Sequence, residues 1–214
     1  MSEDPGTLRA VREWMPRAQR TTTTFLVARL LRDNGSDELC RVRNVSPGGM
    51  RIETPRPLEE HRHVHVEMRT GLMVGGTVVW VSPTAAGIAF DADVDVTELL
   101  SAQLHRPAAR GGAVPRSPRF DAEAQAKLSF CGRIRPAILE NVSQSGARLR
   151  LQEEPELVQG EMTVAIPGLE PKRAAMRWVA DDEAGVVFLD KLKFQEFGHW
   201  LGEPKYRFGA RVVE

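Results

Sequence analysis

Asn44-Val45-Ser46-Pro47-Gly48-Gly49-Met50-Arg51-Ile52 is answered 97 residues later by Asn141-Val142-Ser143-Gln144-Ser145-Gly146-Ala147-Arg148-Leu149. The likeness extends in both directions. Downstream, Trp80-Val81 with Ala86-Gly87-Ile88-Ala89-Phe90 matches Trp178-Val179 with Ala184-Gly185-Val186-Val187-Phe188 at an offset of 98. Upstream, Pro16-Arg17-Ala18-Gln19-Arg20 matches Pro115-Arg116-Ser117-Pro118-Arg119 at an offset of 99. Three landmarks in one order, drifting by two positions, define a duplicated unit of about 98 residues. That period is a domain's, not a solenoid's.

Inside each copy, short β-branched or alternating segments follow one another between turns. In the first they run over 23–31, 38–44, 50–53, 63–68, 73–80 and 87–90. In the second they run over 124–130, 137–141, 147–151, 161–166, 174–178 and 185–188. Six short strands at this spacing predict a closed or nearly closed antiparallel barrel. A helix is expected after each, covering one barrel mouth. Val96, Leu100 and Leu104 form an apolar stripe after a capping Asp95, and Phe194, Phe197 and Leu201 form another after Asp190. The fold class is therefore all-β, two tandem six-stranded antiparallel β-barrels, each followed by a short α-helix. The expected boundaries are a tail over 1–12, a first barrel over 13–104, a linker over 105–115 and a second barrel over 116–214. Pro, Gly and Ala dominate Arg106 to Pro115, which reads as a flexible linker.

Composition narrows the function classes. With 42% hydrophobic and 27% charged residues the chain is ordinary globular protein. Its 29 basic residues balance 29 acidic ones, so no overall field draws it to nucleic acid or membrane. Few aromatics are expected at the surface, Trp80 and Trp178 being placed in the core, which argues against single-stranded nucleic-acid binding. Cys40 and Cys131 both fall in apolar-rich segments and read as free thiols of a reducing compartment. Met1 to Ala10 is polar and acidic, and no apolar stretch reaches bilayer length. The expectation is a cytoplasmic protein without membrane insertion.

The shared turn offers chemistry. An Asn and a Ser two residues apart on a strand point to one face, and together present an amide and a hydroxyl to a flat heterocycle edge. The Gly of the motif permits positive φ or close approach of a ligand. Arg51 and Arg148, two residues further on, are placed to stack on a ring or pair with a phosphate. The plain alternative is that Asn, Ser and Gly simply favour turns.

Nearly the whole chain resembles two PilZ domains, small six-stranded barrels that act in many bacteria as receptors for cyclic di-GMP. The resemblance rests on (D/N)xSxxG, met at Asn44, Ser46, Gly49 and at Asn141, Ser143, Gly146, and on the closing strands around Trp80 to Phe90 and Trp178 to Phe188. It implies that the Asn and Ser contact guanine while loop arginines grip the phosphates. The family's second signature, RxxxR, is absent. Pro16 and Pro115 stand where its first Arg would be, and Arg17/Arg20 and Arg116/Arg119 occur at spacing three in both copies. The resemblance thus implies a ligand site of Arg17, Arg20, Asn44, Ser46, Gly49, Arg51, Arg116, Arg119, Asn141, Ser143, Gly146 and Arg148, with cyclic di-GMP as ligand and a protein partner for output. The alternative is a degenerate adaptor that binds no nucleotide and works through protein contacts.

No nucleophile–base pair, phosphate-binding loop or carboxylate pair marks an enzyme, and no cofactor or metal is expected. His61, His63 and His65 share a strand parity, but no cysteine or matching carboxylate frames them and the second copy has Glu161-Met162-Thr163-Val164 there, so they read as a solvated polar face. Asp91, Asp93 and Asp95 alternate like a calcium loop without its Gly and Glu, and read as a polar approach to the helix.

Overall fold

Alternation of apolar residues drives the first six strands into a closed ring. In this computed structural model, which describes residues 21–33, 35–68, 71–104, 117–152 and 160–206, they are β1 (Thr21–Arg32), β2 (Asp37–Ser46), β3 (Gly49–Glu53), β4 (His63–Glu67), β5 (Met73–Ser82) and β6 (Ala85–Phe90). Helix α1 (Val96–Leu104) follows. The second copy repeats the order with β7 (Phe120–Phe130), β8 (Arg133–Ser143), β9 (Gly146–Leu151), β10 (Glu161–Ala165), β11 (Lys172–Ala180), β12 (Glu183–Phe188) and α2 (Phe194–Leu201), ending in a 3₁₀ turn at Pro204–Tyr206. Both rings are antiparallel and closed, in the order β1-β2-β3-β6-β5-β4 and its counterpart β7-β8-β9-β12-β11-β10. Closure leaves no sheet edge to cap. The expected linker lies outside the described residues.

Each barrel is filled by the inward residues of its strands. Leu30, Cys40, Val42, Ile52, Val66, Val78 and Ala86 form the first core. Leu128, Ala137, Leu139, Leu149, Val164, Ala174 and Val186 form the second. Burial pushes the Cys40 thiol far above its ordinary range. Cys131 departs from expectation: it is exposed in the β7–β8 turn with a φ of 46°, not in a strand.

The tryptophans also depart. Alternation from Val74, Gly76 and Val78 would carry Trp80 inward, but a bulge between Val78 and Trp80 reverses the parity. Trp80 therefore stands outside the barrel with 36% of its surface exposed, and Trp178 does the same after the Met176/Trp178 bulge, at 43%. Each indole lies flat on the glycine opposite, where a Cβ at Gly87 or Gly185 would sit 1.9 or 2.1 Å from the indole nitrogen.

The helices do different jobs. Asp95 Oδ1 accepts hydrogen bonds from the Thr97 and Glu98 amides, the expected cap, and among the described side chains of α1 it is Leu99 rather than Leu100 that is buried. No side chain caps α2, whose N-cap is Lys193. Nor does α2 serve its own barrel alone. Leu39 faces outward from β2, one position from inward Cys40, yet is 1% exposed because it packs into the second core. Arg41 lies 4.2 Å from the Phe194 ring centroid and Arg29 5.4 Å from that of Phe120. Phe120 in turn meets Phe197 edge-on at 5.9 Å. Glu38, almost wholly buried, pairs with Arg32 and with Arg56, whose Nη1 donates to Gly202 O. The two barrels are docked through α2.

Gly198 is the tightest point of that docking, since a Cβ there would lie 1.9 Å from Pro55 Cγ. Gly198→Ala favours the helix by about 1 kcal/mol but fills the space Pro55 occupies. The expected outcome is separated, still-folded barrels, seen as a larger radius of gyration by small-angle scattering with unchanged far-UV circular dichroism. An unchanged radius would show that the close approach does not hold the barrels together.

Candidate ligand-binding site

The motif turn is a two-residue hairpin in each copy, with Ser46 paired to Gly49 and Ser143 to Gly146. The serine hydroxyl closes it, donating to the glycine carbonyl at 3.1 Å in the first copy and 3.2 Å in the second. A bulge sits just before each motif Asn, between Val42 and Asn44 and between Leu139 and Asn141. That bulge turns the amide away from the core, as bulges beside functional surfaces often do. The motif glycine is not there for a left-handed backbone. Its φ is not positive, and the missing Cβ makes room for a neighbouring strand. A Cβ on Gly49 would be 2.5 Å from Ile88 O, and one on Gly146 2.3 Å from Val186 O.

The turn also ties down the chain beyond the last strand. Phe90 N donates to Gly48 O and Val94 N to Pro47 O, at 3.0 and 2.9 Å. Phe188 N to Ser145 O and Leu192 N to Gln144 O repeat the arrangement at 2.9 Å each.

In the first barrel this scaffold opens a surface pocket of about 200 Å³. Asn44, Ser46, Gly49, Arg51 and Trp80 are among the residues lining it. Arg51 is exposed and has no hydrogen-bond or ion-pair partner among the described residues. Nearby Glu53 is instead engaged by Arg41 and Arg43, at 3.2 and 2.8 Å. The pocket thus brings together an amide, a hydroxyl, an aromatic face and an uncompensated cation, room for one heterocycle and an adjoining anion. Trp80 is the residue that sequence reading missed. The available signal was the Trp opposite a Gly in cross-strand register, repeated in both copies.

The second copy places the same residue types differently. Arg119 Nη1 donates to Asn141 Oδ1 at 2.5 Å, so the loop arginine reaches the motif amide despite the shortened spacing. Ser143 is buried, and its oxygen also accepts from Ser145 N at 3.3 Å. Arg148 is held by Glu183 and by Glu140, and the Glu183 hydrogen bond makes its guanidinium still harder to deprotonate. The corresponding first-copy positions are Arg43 and Ala85, neither acidic. Arg17, Arg20 and Arg116 lie outside the described residues.

Elsewhere on the first barrel, the expected three-histidine face is two. His61 is in the turn before β4 with a φ of 63°, while His63 and His65 project together from β4 with ring centroids 4.8 Å apart. Carboxylates do frame them. His63 Nε2 hydrogen-bonds Asp91 Oδ2 at 2.8 Å, which lifts the imidazole above its usual range, and Asp33 lies on the other side. Both aspartates are distant in sequence, which is why the reading from spacing passed them over. No helix among the described residues is long and apolar enough to cross a membrane.

Compared with known families, residues 16–106 match the PilZ domain. Among curated proteins none matches the chain significantly. Solved structures that the chain matches include Borreliella burgdorferi PlzA in complex with c-di-GMP, 9% identical, with 87% of this chain and 95% of that one covered and a TM-score of 0.36. The Bacillus subtilis inhibitor of motility MotI/DgrA is 11% identical over 85% of this chain and 95% of its own, with a TM-score of 0.34. Escherichia coli YcgR in complex with c-di-GMP is 13% identical over 77% and 76%, with a TM-score of 0.28.

The glycine geometry yields a prediction. Gly49→Ala forces β3 from β6 against a backbone carbonyl, at a cost of about 1–3 kcal/mol, lowering the Tm by roughly 5–20 °C. Calorimetry checks this. An unchanged Tm would show that the close approach to Ile88 O does not constrain the strand pair.

Proposed function

With a PilZ domain over residues 16–106, we propose that the chain is a non-catalytic receptor for cyclic di-GMP and that the first barrel is its main ligand site. The observation that carries this reading is the pocket over the motif turn, where Asn44, Ser46, Arg51 and Trp80 converge. The Asn44 amide and Ser46 hydroxyl take the guanine edge, the exposed Trp80 face stacks on the base, and Arg51 with the loop arginines Arg17 and Arg20 takes the phosphates. The reach of Arg119 onto Asn141 supports the idea that an RxxR loop of this length serves the motif turn.

A second reading applies to the second barrel. Its Arg148 is compensated by two glutamates and its Ser143 is buried. An anion there would have to displace Glu140 and Glu183 before pairing with Arg148. This barrel is the better candidate for the adaptor role, presenting a surface to a protein partner. Arg119 adjoins Phe120, which packs on Phe197 of α2, so movement of that loop bears directly on the docking of the barrels. Ligand-driven change in barrel arrangement is the proposed output.

Titration calorimetry of the whole chain with cyclic di-GMP tests this. Arg51→Ala removes a charge-assisted contact of about 1.5–3 kcal/mol, weakening binding roughly 10- to 150-fold. Trp80→Ala removes a stacking contact of about 1–3 kcal/mol, and Asn141→Ala leaves the main event intact. Absence of heat with the unaltered chain at high micromolar ligand would leave only the adaptor. Loss of binding in Asn141→Ala with retention in Asn44→Ala would move the site to the second barrel.

A further inference from the structure

We propose a divalent transition-metal site on the first barrel, apart from the nucleotide pocket, with His63, His65 and Asp33 as ligands and Asp91 as the residue that orients His63. The register places these groups together. Arg32 pairs with Val64 across β1 and β4, so Asp33, one residue beyond, comes level with His63. His65 stands two residues along the same outward face, across from Gly75. Asp91 follows β6, its amide donating to Gly75 O at 3.2 Å. Its carboxylate occupies the space over Gly75, where a Cβ would lie 2.6 Å from Oδ2.

Ligand atoms of Asp33, His63 and His65 lie within 4.8 Å of one another. Metal bonds of about 2.0–2.2 Å require those atoms to draw in by roughly an ångström. Asp33 supplies that movement, because its side chain is 68% exposed in a turn and free to change rotamer. The placement of Asp91 favours one tautomer of the neutral ring. Asp91 accepts the Nε2 proton of His63, which leaves the Nδ1 lone pair facing Asp33, 3.7 Å from its Oδ1. A carboxylate behind a ligating imidazole is the usual way a metal-binding histidine is oriented and made more basic.

Two imidazoles and one carboxylate suit zinc, or cobalt, nickel and copper in its place, and are a poor set for magnesium or calcium, which prefer all-oxygen ligands. Three protein ligands leave a position for water or for a side chain of another molecule. The site does not depend on the nucleotide reading, since none of its four residues lines that pocket.

Untagged full-length protein titrated with Zn2+ by calorimetry and with Co2+ by visible absorption tests the proposal. One Zn2+ is expected to bind, and Co2+ to give the ligand-field bands of a low-coordinate nitrogen–oxygen site. His63→Ala, His65→Ala and Asp33→Asn each lower affinity at least about 10-fold, and Asp91→Asn lowers it roughly 10- to 100-fold. His61→Ala and His199→Ala leave it unchanged. Zn2+ also raises the Tm of the unaltered chain but not of the double variant His63→Ala/His65→Ala. Absence of cobalt bands at millimolar Co2+, or affinity retained in that folded double variant, would overturn the proposal.

Discussion

The missing side chain at Gly49, and again at Gly146, is the constraint on which the rest of the architecture turns. A carbonyl of β6 or β12 occupies the space a Cβ would need, which lets β3 and β9 lie close against their partners. The serine hydroxyl locks the same hairpin from the other side. The hairpin's own carbonyls then receive the amides that lead the chain from the last strand toward the helix. Ring closure, the start of the helix and the floor of the surface pocket therefore share one point. A motif that looks like a recognition sequence is first a folding device, and the groups it leaves over line the surface pocket.

Those remaining groups differ between the copies, and electrostatics decides how. In the first barrel Glu53 is satisfied by Arg41 and Arg43, which leaves Arg51 uncompensated at the pocket. In the second, Glu140 and Glu183 occupy positions held by Arg43 and Ala85, and Arg148 is engaged by both. The backbone is the same in each, so a handful of charges separates an anion-ready surface from a self-satisfied one.

Much of this was legible in the sequence, for reasons that also mark the limits. The repeat exposed the duplication, and period-two patterning located all twelve strands to within a few residues, because alternation reports burial directly. Trp80 was misplaced because a bulge changes parity without changing composition, so a pattern that counts by twos reads straight through it. Leu39 shows a second blind spot: an outward apolar residue beside inward Cys40 looks like an ordinary strand until another domain covers it. The aspartates beside His63 come from two other strand ends, a proximity that only closure of the barrel creates. The asymmetry at Arg148 was invisible for the same reason, since Glu183 is remote in sequence and adjacent only across the sheet.

The docking through α2 is head-to-tail: the β2 flank of one copy meets the helix of the next. Contacts of that kind between identical units close into rings or run on as open filaments. Here the copies have diverged at both of the surfaces involved. The position of Leu39 is taken by Pro136 in the second copy, and that of Gly198 by Leu100 in the first. The outer flank thus lacks its apolar plug, and the first helix lacks the gap that admits Pro55. The two copies thus share a backbone plan, but only one of them carries each half of the join.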